Sequence, residues 1–311
     1  LSINFQDKNK SKITASISQL DGEKIEKFSF KNKEEIEKAI DNIKNKKFNI
    51  TDISSKVVSR NPSGPFTTST LQQVASSRLG FGASRTMQIA QKLYQGIEIE
   101  GDTVGLITYM RTDGTNLSAD AVSDFRNFIK KEYGNEYLPE NPNNYSGKKA
   151  KNAQEAHEAI RPTDINRNPD SVKKYLSSDQ QKLYSLIWSR ALSSQMETAK
   201  FDRNTITIES EDGKTICKSS GSVLKFDGFL KVYSNQSKDD DEQILPEMSK
   251  GPINIEALID EQHFTQPPPR YSEASLVKKL EELGIGRPST YASIISTIAN
   301  RGYAEIVNKR F

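Results

Sequence analysis

Hydrophobic residues recur every second position near the start of the chain and every third or fourth position soon after. Ile13, Ala15 and Ile17 alternate with polar residues, and Asp21-Gly22 supplies a hairpin turn, so residues 12–30 read as strands. Residues 33–47 place Ile36, Ile40 and Ile43 on one stripe, which predicts an amphipathic helix. A helical block follows. Ser69 and Gln72 offer a capping box to a helix carrying Leu71, Val74, Ala75 and Leu79, which Gly80 and Gly82 break. A second helix runs from about Ser84 to Tyr94 and stops at Gly96. Val104 to Met110 is apolar and reads as a buried strand or extended segment. Ser118 caps a helix with Val122, Phe125 and Ile129. Asp120 lies early in it and Lys130 and Lys131 late, as the helix dipole favours. Residues 134–152 form a loop rich in Pro, Asn and Gly, and Ser178 with Gln181 opens a further helix through about Met196.

Period-two patterning returns at 203–233, with Asp212-Gly213 as a second hairpin turn. The two β segments bracket the helical block, which implies a β domain interrupted by a helical insertion. Residues 234–251 read as an acidic mobile loop. Ser272 and Ser275 begin a helix with Leu276, Val277 and Leu280. Gly284 and Gly286 make a turn, and a second helix runs from Ser289 to about Asn300, closing at Gly302. Helix, glycine turn, helix and extended segment together suggest half of a winged helix.

A length of 311 residues suits two or three domains, and 27% charged residues against 34% hydrophobic ones suits a folded soluble chain. No run of 18 apolar residues exists, and the polar start LSINFQDKNK is neither a signal nor a transit peptide. With no initial Met and an abrupt end at Phe311, the chain reads as an internal piece. Its single Cys217 and two His residues exclude a disulfide framework or a Cys-rich zinc site, and a reducing cytoplasm is the simplest compartment. The net charge of +3 is uninformative, but its distribution is not. Ile53 to Ile97 and Leu283 to Ala304 contain no Asp or Glu, while acid gathers at Asp239-Asp240-Asp241-Glu242. Basic stretches rich in hydroxyls and amides suit phosphate contacts; ordinary solvated surface is the alternative.

The segment with the clearest chemistry is Gly105-Leu106-Ile107-Thr108-Tyr109-Met110-Arg111-Thr112-Asp113-Gly114. In an extended chain Tyr109, Arg111 and Asp113 share a face. A phenol needs help to act as a nucleophile at neutral pH, and a neighbouring guanidinium can stabilise the phenolate and the charge growing on an attacked phosphate. Taken alone, Tyr-x-Arg describes more readily a half-buried strand whose Tyr and Arg merely pack and pair.

The longer segment TYMRTDGTNLS resembles the active-site motif of type IA DNA topoisomerases. Three more segments resemble that family in the same order: Asn61 to Gln72 (NPSGPFTTSTLQ), Ala153 to Thr163 (AQEAHEAIRPT), and Pro267 to Tyr271 with Gly286 to Tyr291 (PPPRY and GRPSTY). The TYMRTD form is closer to bacterial topoisomerase I than to topoisomerase III. The resemblance implies a multidomain α+β fold built as an open ring. A β domain would take residues 1–65 and 197–264, a helical catalytic domain 66–196, and part of a helical, winged-helix-like DNA-binding domain 265–311. It further implies that Tyr109 attacks DNA and keeps the 5′ phosphate, with Arg111 and His157 as catalytic partners. Arg287, Ser289, Thr290, Arg301, Thr67, Thr68, Gln72 and Arg161 are the expected DNA contacts, although Arg161 beside Pro162 could instead pin its loop. The expected activity is ATP-independent relaxation of negatively supercoiled DNA through its single-stranded regions, by a monomeric, cytoplasmic, nucleoid-associated protein.

The family's Mg²⁺ is held by acidic residues of a Toprim domain. No such cluster is legible here, because no apolar strand precedes Asp239-Asp240-Asp241. The metal is therefore expected outside this chain, and the chain alone is expected to be inactive. A tyrosine recombinase would place His-x-x-Arg before its nucleophile, whereas His157 and Arg161 follow Tyr109. A non-enzymatic single-stranded DNA-binding module on residues 272–303 is the alternative from another class, but it leaves TYMRTDG unexplained. No phosphate-binding Gly-x-x-x-x-Gly-Lys loop occurs.

Overall fold

A computed structural model describes residues 1–145, 158–233 and 244–311. In chain order the elements are β1 (Ser2–Gln6), β2 (Lys12–Leu20), β3 (Glu23–Lys24), α1 (Lys33–Lys44), β4 (Phe48–Arg60), α2 (Thr68–Val74), α3 (Ala83–Gln95), β5 (Ile97–Ile99), β6 (Asp102–Val104), α4 (Ala119–Glu132), α5 (Pro169–Val172), α6 (Ser178–Ser194), β7 (Ala199–Ser210), β8 (Ile216–Phe226), β9 (Gly251–Ile259), α7 (Glu273–Glu282) and α8 (Tyr291–Asn300). Among the described residues no helix is long and apolar enough to cross a membrane. Content is mixed α and β, and the chain divides into two compact units.

The first unit combines Leu1–Arg60, Ala199–Asp227 and the described part of Asn235–Gln266. Its strands run in the order β1-β9-β4-β7-β8-β2-β3, and β1 also pairs with β2, so the sheet closes on itself. The alternating residues Ile3 and Phe5, Ile13, Ala15 and Ile17, Phe48 and Ile50, and Ile206 and Ile208 point into one core with Ile43 of α1. Cys217 is buried there, and burial pushes its thiol up to about 12. The Asp21-Gly22 turn joins β2 to β3, and Asp212-Gly213 lies between β7 and β8. Strands β1 and β4 have no counterpart in the sequence reading. Past Ile50, β4 pairs among the described residues only with β7, and its residues Thr51 to Arg60 are exposed. With no buried face there, the strand carries no alternation.

The second unit combines Asn61–Thr198, Gly228–Ser234 and Pro267–Phe311. Residues 267–311, expected as a separate piece, thus belong by contact to the helical block. Helices α7 and α8 are too small to enclose a core alone, and Val277, Leu280, Tyr291 and Ile295 complete theirs against Ala83 of α3. Glu273 reinforces the junction by accepting the Ala83 N–H at 2.6 Å, and Ser69 Oγ donates to Glu281 at 2.6 Å. Helix α6 is buried around much of its circumference, with Trp188 Nε1 donating to the Ile165 carbonyl at 3.0 Å.

Several helix starts lie a little away from the sequence expectation. Helix α2 is capped by Thr67 with Thr70, because Ser69 and Gln72 are already inside the helix and buried. Helix α6 is capped by Ser177 with Gln180, and α8 starts at Tyr291 after a turn through Pro288–Thr290. The acidic run Asp239 to Glu242 lies outside the described residues, as does most of the expected loop at 234–251.

Candidate active site

Residues 105–113 follow β6 as an extended segment with no strand ladder of its own. Its backbone hydrogen bonds go to three neighbours. Leu106 N–H donates to the Leu93 carbonyl of α3 at 2.8 Å. Residues 159–163 bond it on another side: Thr108 N–H donates to Arg161 O at 2.9 Å, Arg161 N–H donates to Thr108 Oγ1 at 3.0 Å, and Thr163 N–H donates to Leu106 O at 3.1 Å. Thr68 at the start of α2 provides the third anchor. Its N–H donates to Thr112 O at 2.9 Å, its hydroxyl donates to Met110 O at 2.7 Å, and that hydroxyl accepts Thr112 N–H at 2.8 Å.

The segment sorts its side chains by burial. Leu106, Ile107, Met110 and Thr112 are buried, while Tyr109, Arg111 and Asp113 are exposed. Period two places these three ionisable side chains on one solvent face. The Tyr109 ring meets the edge of Tyr94 on α3, with centroids 5.3 Å apart. Gly105 sits where a Cβ would lie 2.8 Å from the Tyr94 carbonyl oxygen, which brings this backbone close to α3.

Arg111 lines a groove of about 690 Å³ between α3 and α8. Gln88, Gln91, Lys92 and Gln95 face it from α3, Ser293 and Thr297 from α8, and Ser289 from the turn before α8. Among the described residues that line it there is no carboxylate, and Lys92 and Arg111 carry the charge. The two acid-free stretches of the sequence meet here. Such a wall of amides, hydroxyls and two cations can hydrogen-bond base edges and phosphates alike.

The other expected site residues fall into distinct environments. Ser289 lines the groove, and Arg301 is exposed at the end of α8. Arg287 is exposed, and its guanidinium donates to the Gly286 carbonyl at 2.7 Å. The Thr290 hydroxyl accepts Arg287 N–H at 2.8 Å and closes the turn rather than capping α8. Thr67, Thr68 and Gln72 are buried, contrary to the picture of solvent-facing DNA contacts. Thr67 is committed to the cap of α2 and Thr68 to the backbone of residues 110–112, while the Gln72 carboxamide has no hydrogen-bond partner among the described residues. His157 lies outside the described residues.

Arg161 takes the pinning position rather than an open one. It donates from Nε to Glu158 Oε1 at 2.8 Å, from Nη2 to Glu158 Oε2 at 2.9 Å, and from Nη1 to Pro162 O at 2.9 Å. Glu158 also accepts the backbone N–H of Ser118, the cap of α4, at 2.6 Å. Burial pushes the Glu158 carboxyl up, but the hydrogen bonds from Arg161 and Ser118 outweigh it and hold the group below its ordinary value. Glu158, Tyr94 and Lys92 gave no distinct signal of a role in the sequence; only the lack of acid around Lys92 pointed to its helix. Among the described residues no three or more His, Cys, Asp or Glu side chains come together as a metal site.

The family model described as DNA topoisomerase matches residues 1–311. DNA topoisomerase 1 of Rickettsia felis is 48% identical across 100% of this chain, which covers 40% of that relative. DNA topoisomerase 1 of Xylella fastidiosa strain 9a5c is 47% identical across 96% of this chain, which covers 38% of it. The solved structure of full-length topoisomerase I from Thermotoga maritima superposes with a TM-score of 0.77 at 37% identity, over 99% of this chain and 48% of that one. The chain thus spans less than half the length of these relatives, and it belongs to the DNA topoisomerase family that bacterial DNA topoisomerase 1 represents.

Proposed function

We propose that this chain carries the strand-cleaving nucleophile of a type IA DNA topoisomerase, with Tyr109 as the attacking residue and single-stranded DNA as substrate. The observation that carries the reading is the shared exposed face of Tyr109 and Arg111, with Arg111 lining the acid-free groove between α3 and α8. In the proposed step the Tyr109 phenolic oxygen forms a bond to the scissile phosphorus, and the bond from phosphorus to the 3′ oxygen breaks. The phenol loses its proton and the departing 3′ oxygen gains one. One strand end becomes a 5′-phosphotyrosine and the other a free 3′-hydroxyl. Attack by that hydroxyl reverses the step after strand passage. One phosphoester replaces another, so resealing needs no nucleotide hydrolysis.

Arg111 would neutralise the charge that grows on the phosphate in the transition state. His157 is proposed as a phosphate contact or proton relay. Arg287, Ser289 and Arg301, with Lys92, would guide the strand, and Thr290 would hold the turn that presents Arg287. No metal-holding cluster of three His, Cys, Asp or Glu side chains stands among the described residues, and the Mg²⁺ would be held elsewhere in the longer protein. The chain alone is accordingly proposed to bind single strands without relaxing DNA.

The test is Tyr109→Phe in the full-length protein, with a labelled single strand and denaturant trapping of the covalent adduct. Phe keeps the ring beside Tyr94 and removes only the attacking oxygen. Binding without adduct is expected. An adduct formed by the variant would overturn the assignment, and a wild-type protein that binds but never forms one would favour a non-enzymatic binding module.

A further inference from the structure

We infer that Thr68 is the positioning residue of the nucleophile segment: its one hydroxyl bonds the backbone on both sides of Arg111 and so fixes where the Tyr109–Arg111 pair is presented. The inference rests on the reading of Tyr109 as nucleophile. Thr68 has no solvent exposure, so it cannot be a first contact for DNA. Its Oγ1 lies 2.7 Å from Met110 O and accepts Thr112 N–H at 2.8 Å, while its own N–H donates to Thr112 O at 2.9 Å. Among the described residues, the hydrogen bonds that reach the backbone of residues 110–112 from outside the segment come from Thr68.

The physical need is specific. Met110 and Thr112 are buried, and each exposes a backbone group to the interior that water does not reach. A strand partner would satisfy an alternating N–H and C=O pair, but among the described residues none pairs with residues 110–112. One hydroxyl can take both parts, because it donates one hydrogen and accepts at a lone pair. Hydroxyl and backbone N–H together leave residues 110–112 with little rotational freedom, so the Arg111 side chain leaves the surface from a fixed Cα. Thr68 is itself held, since it opens α2 directly after the reciprocal Thr67–Thr70 cap. The segment is thus anchored to a helix terminus rather than to a mobile loop. Small displacements of a reacting group change rates strongly while leaving remote binding contacts intact.

The experiment compares Thr68→Val and Thr68→Ser in the full-length protein. Valine keeps the buried shape and removes the hydroxyl, whereas serine keeps the hydroxyl. Single-turnover formation of the covalent adduct gives the cleavage rate, and fluorescence anisotropy gives single-strand affinity. Thr68→Val is expected to lower the rate at least tenfold with affinity changed less than twofold, and Thr68→Ser to restore most of the rate. Wild-type cleavage by Thr68→Val, or equal failure of both variants, overturns the inference. If Thr68→Val does not fold, amide hydrogen exchange in the wild-type protein decides. A protected Thr112 N–H supports the clamp, and exchange there at an open-amide rate refutes it. A failure of the nucleophile reading itself would appear separately, as an adduct formed by Tyr109→Phe.

Discussion

Replacing Arg161 with Met should destabilise the second unit without weakening DNA binding, and the size follows from the contacts. Met fills most of the aliphatic volume and removes the guanidinium. Two hydrogen bonds to Glu158 and one to the Pro162 carbonyl disappear. The side chains of the pair are 14% and 28% exposed. That lies between surface pairs, measured at about 0.2–1 kcal/mol, and buried pairs, whose disruption costs about 3–5 kcal/mol. The expected loss is therefore about 2 kcal/mol at neutral pH. Acid should narrow the gap. Glu158 titrates below its ordinary value when folded, so its contribution is present above the unfolded carboxylate pKa of roughly 4.3 and is lost as pH falls through the lowered value. The assay is urea unfolding of Arg161→Met, Glu158→Gln and the double variant at pH 7 and pH 4, read as a double-mutant cycle. A coupling under about 0.3 kcal/mol at pH 7 would refute the pinning role, since distant sites already add to within that margin. Unchanged stability with a loss of single-strand affinity would make Arg161 a DNA contact instead.

Gly96→Ala should lower the urea midpoint at a cost of about 1–3 kcal/mol, because φ there is 130° and an added Cβ would collide with the Thr103 methyl; an unchanged midpoint would show that the turn relaxes freely. Lys92→Gln should reduce the slope of log affinity against log salt for a single strand by about 0.7, the value for one phosphate contact; an unaltered slope would place the strand outside the groove. Arg111→Lys should slow adduct formation by roughly 2.7–4 kcal/mol of transition-state stabilisation, since an ammonium cannot reproduce the planar fork of donors; wild-type rates would remove Arg111 from the chemistry.

Helices with one wet and one buried face were legible in the chain. Helix α4 has the Ser118 cap, the early Asp120 and the late lysines where the pattern puts them. Strand β2 likewise buries Ile13, Ala15 and Ile17. Legibility failed for β4 because its burial does not alternate: only Phe48 and Ile50 are buried. Strand β1 does alternate, burying Ile3 and Phe5, but Ser2–Gln6 is too short for the pattern to stand out in a polar opening stretch. Capping boxes were ambiguous for a related reason. Ser, Thr and Gln are closely spaced through residues 67–73, and only the burial of Ser69 and Gln72 settles that the helix begins earlier. The attachment of α7 to α3 and α2 rests on Glu273 meeting Ala83 and Glu281 meeting Ser69, 190 and 212 positions away, a pairing that no local pattern encodes.

At the candidate site the alternation of TYMRTD was enough to place Tyr109, Arg111 and Asp113 on one face, because an extended backbone leaves no other choice. Hydroxyl residues were harder to assign. Thr67, Thr68, Ser289 and Thr290 are chemically alike, and each is as good a phosphate ligand as a backbone ligand until its burial is known. Ser289 lines the groove, Thr290 closes a turn, and the two buried threonines bond within the protein. A threonine inside a motif therefore cannot be assigned to substrate from its position alone. A tyrosine attacking a phosphate needs its reactive oxygen placed to a fraction of an ångström, and much of that placement must come from groups that never touch the DNA. Long motifs around such a nucleophile should then mix contacts with anchors. The distinction between Thr68 and Arg111, two hydrogen-bonding residues of adjoining motifs, is the case in point. One faces the groove; the other fixes the backbone from which it does so.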